Sequence, residues 1–154
     1  MQVDILRAIF SKDLDLVRKL FENKSPNIPL TTYSQTALHF AVIKNNKDLA
    51  LLLINELNAE TNPYDINGWT PLGLIGIEGN DDKYEIAQFL ISAGADVDFS
   101  NRNSNYCSPF DFAKDNRDNC PEIFKLFSKF TKRASWKKKK ALIFLWELER
   151  LRLV

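Results

Sequence analysis

The chain of 154 residues is poor in the residue types with which many proteins build catalytic and metal sites. It has two cysteines, Cys107 and Cys120, which lie thirteen positions apart, and a single histidine, His39. This number and spacing predict neither a zinc site nor a disulfide framework, so we expect reduced thiols and a cytoplasmic protein. Among its five glycines there is no phosphate-binding loop. We therefore expect no metal and no cofactor.

Long apolar runs and targeting signals are also missing. The longest apolar run, Ala141 to Trp146, is far shorter than the roughly 20 residues that a helix needs to cross a membrane. The first residues lead directly into a predicted helix that contains Asp4 and Arg7, which is unlike a signal peptide. No nucleophile motif and no paired carboxylates accompany His39. The sequence therefore does not predict an enzyme.

A short phrase that repeats imperfectly is the most informative feature present. Residues 36–41 read TALHFA, residues 70–75 read TPLGLI and residues 108–113 read SPFDFA, at steps of 34 and 38 residues. A period in this range indicates stacked supersecondary units rather than one closed core.

Each phrase is followed by a second apolar segment, and an earlier pair of segments precedes the first phrase. The apolar residues in these segments recur at steps of three and four, as in helices with one buried face. Each unit is therefore predicted to be two short antiparallel helices followed by an extended loop. The second segments are residues 15–21, 48–54, 85–91 and 122–127.

These features together resemble the ankyrin repeat. Its hallmarks appear as Thr36 to His39, as Gly94-Ala95-Asp96 at the end of a second helix, and as the turn from Asp65 to Thr70. The resemblance implies an all-α solenoid of helix-turn-helix/β-hairpin repeats over residues 1–130, with units of approximately 1–31, 32–64, 65–102 and 103–130. It also implies a structural role for His39, in hydrogen bonds within and between repeats.

The resemblance further implies binding of another protein through the hairpin tips and the exposed faces of the first helices. Tyr33 and Trp69 stand out, because large aromatic residues often dominate binding energy. The alternative for Trp69 is that it packs against the neighbouring hairpin. The predicted contact residues are Tyr33, Gln35, Ile43 and Lys44 in the second unit, Ile66, Asn67, Trp69, Ile77 and Glu78 in the third, and Ser104 and Asn105 in the fourth.

Departures from the family pattern are also visible. Gly76 lies inside a predicted helix, where glycine costs about 1 kcal/mol relative to alanine. Residues 79–83 make the loop between the helices of the third unit about three residues longer than the pattern. This extension is either surface drift, which loops tolerate, or a partner contact.

Residues 131–154 form a separate basic and apolar segment. They contain eight Lys or Arg and two Glu, a charge of +6, which leaves −5 on residues 1–130. Ala141, Phe144, Leu145, Leu148 and Leu151 share one face of a predicted helix. We expect this helix to cap the last repeat. Trp146 and Leu148 are candidates for a second role, either self-association or partner binding.

Two other partners are less consistent with the sequence. Attachment to a membrane surface would suit Lys137 to Lys140, but Glu147 and Glu149 would face the same anionic lipids. Nucleic acid is not expected, because the repeats carry no basic stripe. The function predicted from the sequence is a stoichiometric inhibitor or adaptor. The alternatives are a structural subunit anchored by the C-terminal helix, and a bacterial effector or immunity-type protein that blocks a toxin.

Overall fold

The computed structural model describes residues 1–99 and 107–132. Within these ranges the chain forms helices and no strands, as expected for an all-α repeat protein. The helices are α1 (Gln2–Phe10), α2 (Leu14–Phe21), α3 (Ala37–Ile43), α4 (Lys47–Leu51), α5 (Pro71–Glu78), α6 (Tyr84–Ser92), α7 (Pro109–Asp115) and α8 (Pro121–Phe130). Helix α4 continues directly into a π-helical segment, Leu52–Glu56.

The helices form four successive pairs that stack on one another. The first helices α1, α3, α5 and α7 each contact the next, and among the second helices α4 contacts α6 and α6 contacts α8. The buried residues form one continuous apolar cluster that runs from Ile5 in α1 to Phe127 in α8. The inner first helices α3 and α5 are buried on nearly all sides, whereas the other helices bury one face, as in a solenoid. The predicted fold class is therefore confirmed, while the boundaries of the units stay a prediction.

The first helices of the third and fourth pairs begin with side-chain caps. Thr70 Oγ1 accepts a hydrogen bond from Gly73 N at 3.0 Å, and Ser108 Oγ accepts one from Asp111 N at 3.2 Å. A proline follows each cap, in the first turn, where no amide hydrogen is required. Asp111 also returns a bond, because its carboxylate accepts from Ser108 N at 3.0 Å. These bonds fix where each first helix starts.

Gly76 has a positive reason for being glycine. A Cβ at this position would lie 2.8 Å from the carbonyl oxygen of Pro109 and 3.0 Å from Phe112 Cβ. Helices α5 and α7 therefore approach too closely at this point for any side chain. Glycine at this position lowers the helix propensity of α5, but its lack of a side chain allows the third and fourth pairs to stack closely.

The extended loop of the third unit, residues 79–83, forms hydrogen bonds to the fourth unit. The Asp81 carboxylate accepts hydrogen bonds from Ile123 N at 2.9 Å and from Glu122 N at 3.2 Å. Helix α8 begins after Cys120, whose side chain makes no capping bond, so Asp81 caps this helix from the neighbouring unit. On the other side, Asn45 donates to the carbonyl oxygen of Asp82 at 3.0 Å. The loop therefore has a structural role that the sequence did not reveal.

Among residues 1–99 and 107–132, no helix is long and apolar enough to cross a membrane. The predicted C-terminal helix, with Trp146 and Leu148, lies outside the described residues.

We expect Gly76→Ala and Gly73→Ala to change stability in opposite directions. An added methyl group at position 76 collides with backbone atoms of α7, so we expect a loss of about 1–3 kcal/mol in unfolding free energy. At position 73 the nearest atom to the added Cβ, Thr70 Oγ1, is at 3.4 Å, so helix propensity should add up to about 1 kcal/mol. Urea unfolding followed by circular dichroism measures both. Equal effects of the two substitutions would contradict the close approach.

We expect Asp81→Ala to lower the unfolding free energy by about 1 kcal/mol, because α8 loses its cap. Asp82→Ala is the matched control, since the neighbouring Asp82 side chain is exposed and only its backbone is bonded. Hydrogen exchange should show faster opening at Glu122 and Ile123 in the Asp81 variant alone. Unchanged protection of these two amides would refute the capping role.

Candidate functional site

The loops before α3 and α5 are two tight hairpins that lie side by side. Leu30 N donates to Gln35 O at 2.7 Å across the first, and Asp65 N donates to Trp69 O at 3.0 Å across the second. The Asp65 carboxylate also accepts from Asn67 N at 2.9 Å and from Trp69 N at 3.0 Å. Gly68 completes this second turn with φ of 79°. The backbone of both tips is therefore closely defined.

Two contacts join the first hairpin and its helix to the second hairpin. Ile66 N donates to Tyr33 O at 2.8 Å, which aligns the two tips directly. Behind them, His39 Nδ1 accepts from Thr36 N at 3.1 Å, so the ring proton must be on Nε2. Nε2 donates to Trp69 O at 3.0 Å. His39 thus links the start of α3 to the next hairpin, as the family resemblance implies.

The environment of His39 favours its neutral form. The side chain is buried, and loss of hydration lowers its pKa below the ordinary value. The carbonyl of Trp69 and the charge of Asp65 act in the opposite direction but do not reverse the shift. Since Nδ1 accepts from an amide, a proton added there would also break a hydrogen bond. His39 is a scaffold residue that requires neutrality.

The tips of the two hairpins expose large apolar side chains. Tyr33 is 60% exposed and Ile66 is 63% exposed. Gln35 and Asn67, also predicted to contact a partner, are half-buried beside them. Because the backbones of Tyr33 and Ile66 are joined, their side chains emerge next to each other from an ordered base. We call Tyr33, Gln35, Ile66 and Asn67 the tip surface.

A second apolar patch lies at the ends of α1 and α3. Lys44 Nζ lies 4.5 Å from the centre of the Phe10 ring, and Phe10 packs edge-on against Phe40 with the ring centres 6.0 Å apart. Phe10 is 52% exposed, and the neighbouring Ile43 is exposed as well. Sequence reasoning named Ile43 and Lys44 but missed Phe10. No signal marked Phe10, since the degenerate first unit lacks the repeated phrase.

The structure gives three predicted contact residues roles inside the scaffold. Trp69 is half-buried and packs edge-on against Phe112 of the next pair, with ring centres 6.5 Å apart. Ile77 is half-buried against the core. Glu78 forms an ion pair with the buried Lys83 at 2.5 Å. These interactions already engage all three side chains, so they are weaker candidates for partner contacts than Tyr33 and Ile66.

The fourth unit is described only in part. Ser104 and Asn105 lie outside the described residues, as do Trp146 and Leu148. At the end of α7, Asn116 donates to the carbonyl oxygen of Gly76 at 2.9 Å. Within residues 1–99 and 107–132, no cluster of three or more His, Cys, Asp or Glu side chains could hold a metal ion.

Comparison with known proteins agrees with this architecture. Residues 5–101, well over half of the chain, match a family model described as ankyrin repeats in three copies. Two similar proteins are the mouse and human forms of protein phosphatase 1 regulatory subunit 27. Each is 36% identical to this chain over 89 residues, which is 58% of this chain and 54% of the relative. The chain thus spans about half the length of these relatives.

We expect the stability of the protein to fall as the pH drops below about 6.5. The pKa of His39 is lower in the folded than in the unfolded state, so the unfolded chain binds the extra proton. The contribution of neutral His39 is complete above the unfolded pKa and is lost below it, by at most about 1.4 kcal/mol per pH unit. Urea unfolding between pH 5 and 7.5 measures this slope.

The matched variant is His39→Gln, which removes the only histidine of the chain. It should be less stable at pH 7.5 but should lose the slope between pH 5 and 6.5. An unchanged slope in this variant would show that another group controls the acid sensitivity.

Proposed function

Because the chain belongs to the ankyrin-repeat family, we propose that it acts by binding a partner protein in a fixed ratio, as an inhibitor or adaptor. The repeats of this family are protein-interaction modules. The observation that carries the proposal is the pairing of exposed Tyr33 and Ile66 on hairpins joined by a 2.8 Å backbone hydrogen bond. We infer that the tip surface and the patch of Phe10, Ile43 and Lys44 form the binding surface.

The ordered backbone of the tips favours affinity. Binding normally loses free energy through the ordering of loops and side chains, about 0.5–1.5 kcal/mol for each immobilised flexible side chain. Here Asp65, Gly68 and the bond from Ile66 to Tyr33 already define the loop backbone. Tyrosine also presents a large contact area with few rotatable bonds. Tyr33 is therefore the first residue that we expect to dominate the binding energy.

The chemistry of this surface indicates what kind of partner it fits. The tip surface contains an aromatic, an aliphatic and two uncharged polar side chains and no formal charge. In the second patch, Lys44 lies over the Phe10 ring. A partner with an apolar patch bordered by hydrogen-bonding groups would match this surface. Such binding should depend little on salt, because screening acts mainly on exposed charges.

The relatives suggest a candidate partner. They are named as regulatory subunits of protein phosphatase 1, and the identity of 36% extends over more than half of this chain. We propose the catalytic subunit of protein phosphatase 1 as the first partner to test. Regulation would then come from occupancy of the phosphatase surface, and chemistry by this chain is not required.

We expect Tyr33→Ala and Ile66→Ala each to weaken binding at least fivefold, about 1 kcal/mol, without lowering the melting temperature. Leu16→Ala is the control, because Leu16 is an exposed apolar residue on α2, outside the proposed surface. Isothermal titration calorimetry with the purified phosphatase catalytic subunit at 0.05 and 0.3 M NaCl measures affinity and salt dependence.

The proposed partner and the proposed binding surface are tested separately. If the phosphatase does not bind, that partner is wrong, and the same variants are compared against proteins captured by the immobilised chain. If any verified partner binds the Tyr33→Ala, Ile66→Ala double variant as tightly as the unsubstituted protein, the proposed surface is wrong.

A further inference from the structure

The last helix pair, α7 and α8, leaves partly open two positions that the inner pairs bury completely. At the first position, α3 has Leu38 and α5 has Leu72, both at most 1% exposed, whereas α7 has Phe110. At the second position, α4 has Ala50 and α6 has Ala87, both fully buried, whereas α8 has Phe124. Phe110 and Phe124 are only half-buried. The difference arises because a following pair covers the inner positions.

These two phenylalanines form a compact apolar face. Their rings stack with centres 6.0 Å apart and planes at 28°. Phe130, at the end of α8, is a further exposed aromatic residue of the last pair, at 54%. We call Phe110 and Phe124 the end face. Exposed aromatic surface of this kind is unfavourable in water unless another group covers it.

The end face differs from the face of α5 that receives the fourth pair. Between the third and fourth pairs, close approach depends on Gly76 in α5, where even a methyl group would collide with α7. The corresponding residue of α7 is Lys114, and phenylalanine replaces the alanine of the inner second helices at Phe124. A following segment therefore cannot approach α7 as closely as α7 approaches α5 at Gly76, whereas a cover that packs through side chains needs no such approach.

The chain that continues after α8 starts close to this face. Thr131 Oγ1 lies 2.6 Å from Asp98 Oδ1, and Lys132 N donates to Asp98 Oδ2 at 2.6 Å. Lys132 Nζ also forms an ion pair with Asp96 at 3.3 Å. These bonds fix the position of Thr131 and Lys132, directly after Phe130.

We propose that residues 141–153 of this same chain cover the end face. In the sequence they place Ala141, Phe144, Leu145, Leu148 and Leu151 at helical spacing, which supplies one apolar stripe for one apolar face. The eight residues 133–140 can span up to about 26 Å when extended. Their basic charge is opposite in sign to that of the exposed Asp115, Asp118 and Glu122, which lie on and between α7 and α8.

This proposal concerns the end of the array and is independent of the proposed binding surface. It predicts that substitutions on the stripe and on the end face are energetically coupled in the full-length chain, because each loses its contact when the other is removed. The variants are Phe144→Gln, Leu145→Gln and Leu148→Gln, each alone and combined with Phe124→Ala. Urea unfolding gives the equilibrium constant of each protein.

We expect at least one stripe variant to show a coupling of fivefold or more in the unfolding equilibrium constant with Phe124→Ala. Glu147→Gln introduces the same residue off the stripe, and Leu16→Ala alters the opposite end of the array. In combination with Phe124→Ala, both control substitutions should have additive effects, within twofold in the unfolding equilibrium constant. If all three stripe variants are also additive with Phe124→Ala within twofold, the proposal is wrong.

The same variants test whether the stripe covers the end face of its own chain or that of a second copy. The unsubstituted protein should sediment as a monomer, and the coupling should be the same at 1 and 100 µM. A coupling that grows with concentration would show that the stripe covers the end face of a second copy instead, and would overturn the proposal.

Discussion

Close backbone approach between successive helix pairs is the constraint on which the rest of this structure depends. No pair has enough apolar surface to fold alone, so each must bury a face against its neighbour. The approach is tightest between α5 and α7, where Gly76 lies against the Pro109 carbonyl. The helix ends, hairpins and loops are then positioned by what this stacking brings together.

Polar groups at each junction are satisfied across the stack. His39 reaches the Trp69 carbonyl from the second pair, and Asp81 caps α8 from the third. Asn62 accepts a hydrogen bond from Asp96 N at 2.9 Å at a different junction. Because a buried unpaired polar group costs roughly 1–3 kcal/mol, these bonds penalise any other register of the units. They explain how a diverged array keeps a defined geometry.

The same geometry separates scaffold residues from residues that can meet a partner. Trp69, Ile77 and Glu78 lie near the proposed binding surface, but their side chains are engaged by the core or by Lys83. Tyr33 and Ile66 extend from an ordered base and are free to make new contacts. The hydrogen bonds within and between the hairpins hold the backbone beneath these side chains in one arrangement, which favours recognition by fit. We propose different purposes for the exposed apolar regions: partner binding at the hairpin tips and the Phe10 patch, and covering by the same chain at the end face.

The sequence by itself determined what depends on neighbouring residues. The repeat period predicted the stacked helix pairs. The caps at Thr70 and Ser108 act over only three residues, so local residue types and spacing are sufficient to form them. Only the tertiary structure decided contacts between units. It showed that Asp81 caps a helix about forty residues later, that Gly76 permits close packing, and that Phe10 joins Lys44 at the surface. Whether Trp69 or Tyr33 is available to a partner also depends on residues distant in sequence. Trp69 packs against Phe112 of the next pair, while Tyr33 stays exposed, and the residues next to each of them in the sequence do not indicate this difference.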